Sequence, residues 1–154
     1  MKLMKIELMI LYIIYSCIFI SLAFIPKGKW REASIAFLFQ QCITWFLGLI
    51  PVQLHLLEYP VREFPTVNGT SFLFEFLAYP VISIFFCIYY PQTSSKRKKF
   101  LYASGFSTAI TISEVIFEKY TDLITYIHWG WYVSWLSYTQ PYLYCGYFIN
   151  GILN

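Results

Sequence analysis

This chain has little charge. Asp, Glu, Lys and Arg make up 12% of its 154 residues, about half the roughly 25% usual in soluble domains. So few charged side chains could not cover the surface of a water-soluble domain. Short-spaced metal-ligand pairs are absent as well: there is no Cys-x-x-Cys, His-x-x-x-His or Glu-x-x-His. The four cysteines, Cys17, Cys42, Cys87 and Cys145, lie within apolar runs. They read as small apolar helix residues and exclude neither redox compartment. There is no Gly-x-Ser-x-Gly, and no phosphate-cradling glycine loop. No internal repeat is visible, so nothing points to an inverted-repeat transporter.

Apolar residues fill 58% of the chain, and aromatics 22%. Lipid can solvate such an exterior. The expected fold class is therefore all-α, a single transmembrane bundle of five helices. The net charge of +3 does not suggest nucleic acid, because the cations cluster in loops between apolar runs. The implied partner is the lipid bilayer.

The expected helices cover about residues 6–25, 33–57, 71–90, 100–117 and 126–149. The first has a basic start, but its apolar run is long enough to span the bilayer, so it reads as a retained helix. Lys27, Lys29 and Arg31 follow it. The second carries Gln40, Gln41 and Pro51. In the longest loop, Glu58 to Thr70, Pro60, Pro65 and Asn68-Gly69 mark turns. Asn68-Gly69-Thr70 also fits the glycosylation pattern, and reads here as a turn.

Pro80 should kink the third helix. The segment 91–99 holds Lys96-Arg97-Lys98-Lys99 and is expected as a loop outside the hydrocarbon. Small and hydroxyl residues crowd the fourth helix, which is therefore expected at the centre. The fifth opens with Trp129, Trp131, Tyr132, Trp135 and Tyr138, an aromatic belt. Residues beyond Pro141 either continue this helix or form a separate interfacial segment.

Five helices place seven basic residues at one end of the bundle and Lys2, Lys5, Arg62 and Lys119 at the other. The positive-inside rule then puts the N-terminus outside and the C-terminus in the cytoplasm. A four-helix count would put both termini outside.

Acids inside membrane helices are functional candidates by default. Glu75 lies about one turn into the third helix from the outer end, and Glu114 about one turn into the fourth from that same end. Glu118 ends the fourth helix, His55 and Glu58 close the second, and His128 opens the fifth. Ser107, Thr111, Glu114 and Glu118 share one helix face. Three readings stand open. The six groups fix helix packing; or they bind protons, cations or a small cationic substrate; or His55, Glu58, Glu114 and His128 hold a metal, although their scatter matches no metal-ligand pattern.

The loop Glu58-Tyr59-Pro60-Val61-Arg62-Glu63-Phe64-Pro65, the segment Phe74-Glu75-Phe76 with Pro80, and His128-Trp129-Gly130-Trp131-Tyr132 resemble a family of small multi-pass membrane proteins of endospore-forming Gram-positive bacteria. The resemblance implies a place in the bacterial cell membrane and no particular activity or cofactor. Tryptophan-rich sensory proteins that bind porphyrins share the size, but their loop after the first helix is unmatched by Pro26-Lys27-Gly28-Lys29-Trp30. The leading expectation is a non-enzymatic membrane component, with a larger membrane protein as possible partner. The alternatives are a proton- or cation-coupled transporter, or an enzyme acting on lipid or isoprenoid.

Overall fold

The computed structural model describes residues 2–153, with side chains from 6 to 149. The fold is all-helical. Five helices follow in order: α1 (Lys2–Leu22), α2 (Trp30–Gln53), α3 (Leu73–Ile88), α4 (Lys96–Tyr120) and α5 (Trp131–Leu153). One two-residue ladder joins β1 (Leu57–Glu58) to β2 (Thr125–Tyr126), antiparallel. Among the described residues, two helical stretches are long and apolar enough to cross a membrane, Lys27–Gln53 and Lys96–Tyr120. Ile6–Leu22 and Leu73–Ile88 are apolar but shorter.

The ladder brings the α2–α3 and α4–α5 loops to one end. Glu7 of α1 reaches the same end, where its Oε1 accepts the Asp122 N–H at 2.9 Å. At the opposite end, the Lys99 ammonium lies over the rings of Tyr90 and Tyr147. The chain therefore runs up and down between two ends. Seven of its eight acids lie at the ladder end, all but Glu32. The clusters Lys27–Arg31 and Lys96–Lys99 lie at the other. The side chains of Lys2 and Lys5 fall outside those described.

Four expectations need correcting. First, the central helix is α3, not α4. No residue from Leu73 to Ile88 is exposed, whereas α4 packs chiefly on α5 and exposes Thr108, Ala109 and Ser113. A central helix must be apolar or satisfied all round, and α3 is so except at its polar row Glu75, Tyr79, Ser83 and Cys87. Second, Lys96-Arg97-Lys98-Lys99 is not loop. It forms the first turn of α4, capped by the Ser95 hydroxyl, which accepts the Lys98 N–H.

Third, α2 stops at Gln53 rather than 57. Its C-terminus is a Schellman motif: the His55 N–H bonds the Val52 carbonyl and the Leu56 N–H bonds the Pro51 carbonyl. His55 takes the left-handed conformation this requires, with φ of 54°. Fourth, 126 does not start α5. Residues 125–126 are strand, and the helix begins at Trp131 and runs unbroken through Pro141 to Leu153.

Pro80 governs the start of α3. Leu73–Ala78 winds as a π-helix, in which each N–H reaches five residues back. The Tyr79 N–H thus bonds the Phe74 carbonyl. Next in that register would be residue 80, which as proline has no N–H to give. The Glu75 carbonyl is taken up instead by the Thr44 hydroxyl at 2.7 Å, and the Phe76 carbonyl by Gln41 Nε2 at 3.1 Å. Two polar side chains of α2 thus bond carbonyls of α3 beside the proline, one of them the carbonyl that residue 80 leaves open, and so fix α2 to α3.

Candidate functional site

The loop between α2 and α3 shapes the ladder end. Arg62 folds it by donating to three carbonyls, those of Tyr59, Pro65 and Asn68. Asn68 closes a local turn with the buried Thr70: its Nδ2 donates to the Thr70 hydroxyl and its Oδ1 accepts the Thr70 N–H. Glu63 accepts from the Leu73 N–H at the start of α3 and from the Tyr15 hydroxyl of α1, a favourable place for an anion. So anchored, the loop sends Tyr59 inward, where its hydroxyl donates to Glu75 Oε1 at 3.0 Å.

Glu75 and Glu114 converge. Both are about 95% buried, and both line one small cavity of ≈ 40 Å³ together with Tyr59, Thr44, Trp129, Ser134 and Tyr138. Glu114 Oε1 accepts from Ser134 and its Oε2 from Tyr138, each at 2.9 Å. Tyr138 lies 2.9 Å from the Tyr79 hydroxyl in turn, and Trp129 Nε1 donates to the Ser134 oxygen at 2.7 Å. The backbone of Gly48 on α2 packs directly against Glu75: a Cβ there would sit 2.6 Å from the carboxyl carbon. Glycine is what lets α2 close over the acid.

Burial first, and then the Glu75 carboxylate, hold the Tyr59 phenol well above the ordinary tyrosine range. Burial and then the charge of Glu114 push Tyr126 up likewise. Both phenols therefore keep their protons and act as donors. Among the described residues no Lys, Arg or His lines the small cavity. The one ion pair among the described residues, Lys29–Glu32, is at the far end.

The other four residues singled out in the sequence are elsewhere. His55, Glu58 and His128 are exposed, and Glu118 is half-buried. His55 serves as the left-handed residue that ends α2. Glu58 lies in β1, and the His128 N–H is tied to the Leu56 carbonyl. No group of three or more His, Cys, Asp or Glu side chains placed to hold a metal occurs among the described residues.

Tyr59, Ser134 and Tyr138, which bond the carboxyls, and Tyr79, which bonds Tyr138, complete the site, and the sequence reading missed them in these roles. Spacing held the signal. Glu75, Tyr79, Ser83 and Cys87 step by four along α3, and Ser134, Tyr138 and Tyr142 by four along α5, as residues sharing a helix face do. Glu7 was missed too; it is buried in α1.

The chain matches no family model, no curated protein and no solved structure. The chemistry of the site is thus read from its own geometry. Two buried carboxyls, ringed by hydroxyl and indole donors and without a fixed counter-charge, can take up a proton or hold a cation.

Proposed function

We propose that this is a multi-pass protein of the bacterial cell membrane, crossing it five times, in which Glu75 and Glu114 bind and pass a proton or a small cation. The observation that carries the reading is the pair itself: two buried acids on one ≈ 40 Å³ cavity lined by no cation. A cavity of that size has room for water or a small ion. An isolated buried carboxylate is costly, so it stays neutral or acquires a partner. Among the described residues no basic side chain is there to serve, which leaves the proton or an incoming cation.

Membrane insertion is supported by the exterior. Phe19 and Ile20 on α1, Leu38, Phe46 and Ile50 on α2, Leu101, Ile112 and Ile116 on α4, and Leu136 and Tyr144 on α5 are all exposed. In water this would be an apolar surface far beyond what a monomer shows. α3 is the shortest helix, yet it is enclosed by the others. The orientation follows from charge: the end with the two basic clusters is cytoplasmic and the acidic ladder end faces out.

A second reading, packing, has its own support. Both Glu114 oxygens already accept hydrogen bonds from α5. A carboxyl on α4 that accepts two hydrogen bonds from α5 can serve as glue between those helices. Reconstitution separates the two. Liposomes containing the purified protein should show proton or monovalent-cation flux that Glu114→Gln abolishes. Wild-type liposomes no leakier than empty ones, or flux unchanged in a Glu75→Gln, Glu114→Gln double variant, would contradict the proposal.

A further inference from the structure

A second, larger cavity adjoins the carboxyl site. It measures ≈ 420 Å³ and lies between α1, α3 and α4. Its walls are mostly apolar and aromatic: Phe74, Ala78 and Ile82 from α3, Phe106 and Phe117 from α4, and Ile14 from α1. At one side they give way to Tyr59, Tyr79 and Glu114. Tyr59 and Glu114 also line the small cavity, so the two spaces share a wall. Ala109 and Ser113, on the chamber's α4 side, are exposed; the chamber therefore opens on the outer, apolar face of the molecule rather than at either end.

We infer that this chamber binds a lipophilic monocation, its apolar body among the aromatic side chains and its charge at Glu114. The inference rests on the function proposed above and names its substrate class. A volume of ≈ 420 Å³ falls within the range of small-molecule sites, about 300–1,000 Å³. Such sites pair an apolar lining with a few convergent polar groups, as here. The choice of a cation follows from charge. Among the described residues Glu114 is the one acidic or basic side chain on the chamber wall, so an anion would meet only repulsion. A neutral apolar molecule would leave the carboxylate's charge unbalanced, since Ser134 and Tyr138 supply hydrogen bonds but no positive charge. Aromatic faces add attraction for a cation within about 6 Å of a ring centroid. The opening fixes the route: the ligand enters from the hydrocarbon, where lipophilic cations concentrate.

The groups that face Glu114 are Glu75 and Tyr79 of α3, Tyr59 and Tyr126 of the loops, and Ser134 and Tyr138 of α5. None carries positive charge, so a cation and a proton compete for the same carboxyl. Binding then weakens as pH falls.

Radiolabelled tetraphenylphosphonium tests this, because its charge is permanent and any pH dependence belongs to the protein. The purified full chain should bind it saturably, more weakly at lower pH. Uncharged triphenylphosphine oxide should compete poorly. Glu114→Gln keeps an acceptor for Ser134 and Tyr138 and should weaken binding by about tenfold or more. Ala109→Trp places bulk at the exposed rim and should block binding while leaving the small cavity, and its response to pH and monovalent cations, as in wild type. Binding that survives Ala109→Trp, or no binding by a protein that still responds to pH and cations, overturns the chamber proposal alone. Equal competition by the neutral oxide, with Glu114→Gln without effect, would mark the chamber as a seat for an acyl chain and overturn it too. Loss of the pH and cation response in wild type would instead strike the underlying reading of the carboxyl pair.

Discussion

At the level of single residues, two glycines behave oppositely. Gly48 lies against the Glu75 carboxyl, whereas nothing stands within 4 Å of a Cβ at Gly105. Gly48→Ala should therefore destabilise the protein by about 1–3 kcal/mol through overpacking. Gly105→Ala should stabilise it by up to about 1 kcal/mol through helix propensity. Unfolding curves in mild detergent would read both. His55 yields another contrast. It occupies a left-handed position, which costs a side chain with a Cβ about 1–2 kcal/mol. If its role is to end α2, His55→Gly raises stability by about 1 kcal/mol; a loss of stability in the same unfolding curves would mean the imidazole itself does something. The sequence placed Glu75 and Glu114 near the same end of the bundle, because depth along a helix can be counted. It could not separate them from His55 or His128. That depends on which way each side chain faces, and loop geometry decides it.

Among the elements, α3 is the informative one. Its proline was plain in the sequence, and a kink was the natural expectation. What could not be read was the repair: a π-turn, with Thr44 and Gln41 of α2 bonding the carbonyls of Glu75 and Phe76. That pairing joins residues more than thirty positions apart, and no local pattern encodes it. It predicts energetic coupling. Thr44→Val strands the Glu75 carbonyl and should cost about 1–3 kcal/mol. In a Pro80→Ala background residue 80 supplies an N–H of its own, and the same change should cost less. A double-mutant cycle should return a coupling of about 0.5–3 kcal/mol; additive effects would mean that the hydroxyl and the proline act independently. Helix ends were the least legible feature. α2 ends four residues early on a Schellman motif made by a histidine, and α4 begins within its own basic cluster because Ser95 caps it.

For the whole molecule, composition was enough to indicate an all-helical fold with an apolar exterior, and hydropathy enough to count five helices. The arrangement was not legible. Small residues on α4 suggested that it was the core, yet α3 is enclosed, because α2 packs closely on it, with Thr44 and Gly48 of its buried face against Glu75. The two-residue ladder, Glu7 at Asp122, and Lys99 between Tyr90 and Tyr147 are each long-range contacts. Together they put seven of the eight acids at one end and both basic clusters, Lys27–Arg31 and Lys96–Lys99, at the other. In the proposed orientation the acidic end gathers cations from outside, and Glu75 and Glu114 lie just beneath it. The central claim is that this pair takes up an ion. The most direct test is a thermal-shift series on wild type and Glu114→Gln in mild detergent, scanned over pH and monovalent cations. Wild type should change stability with pH or cation, and the variant should lose this response. A flat profile in wild type, or the same profile in both proteins, would contradict it.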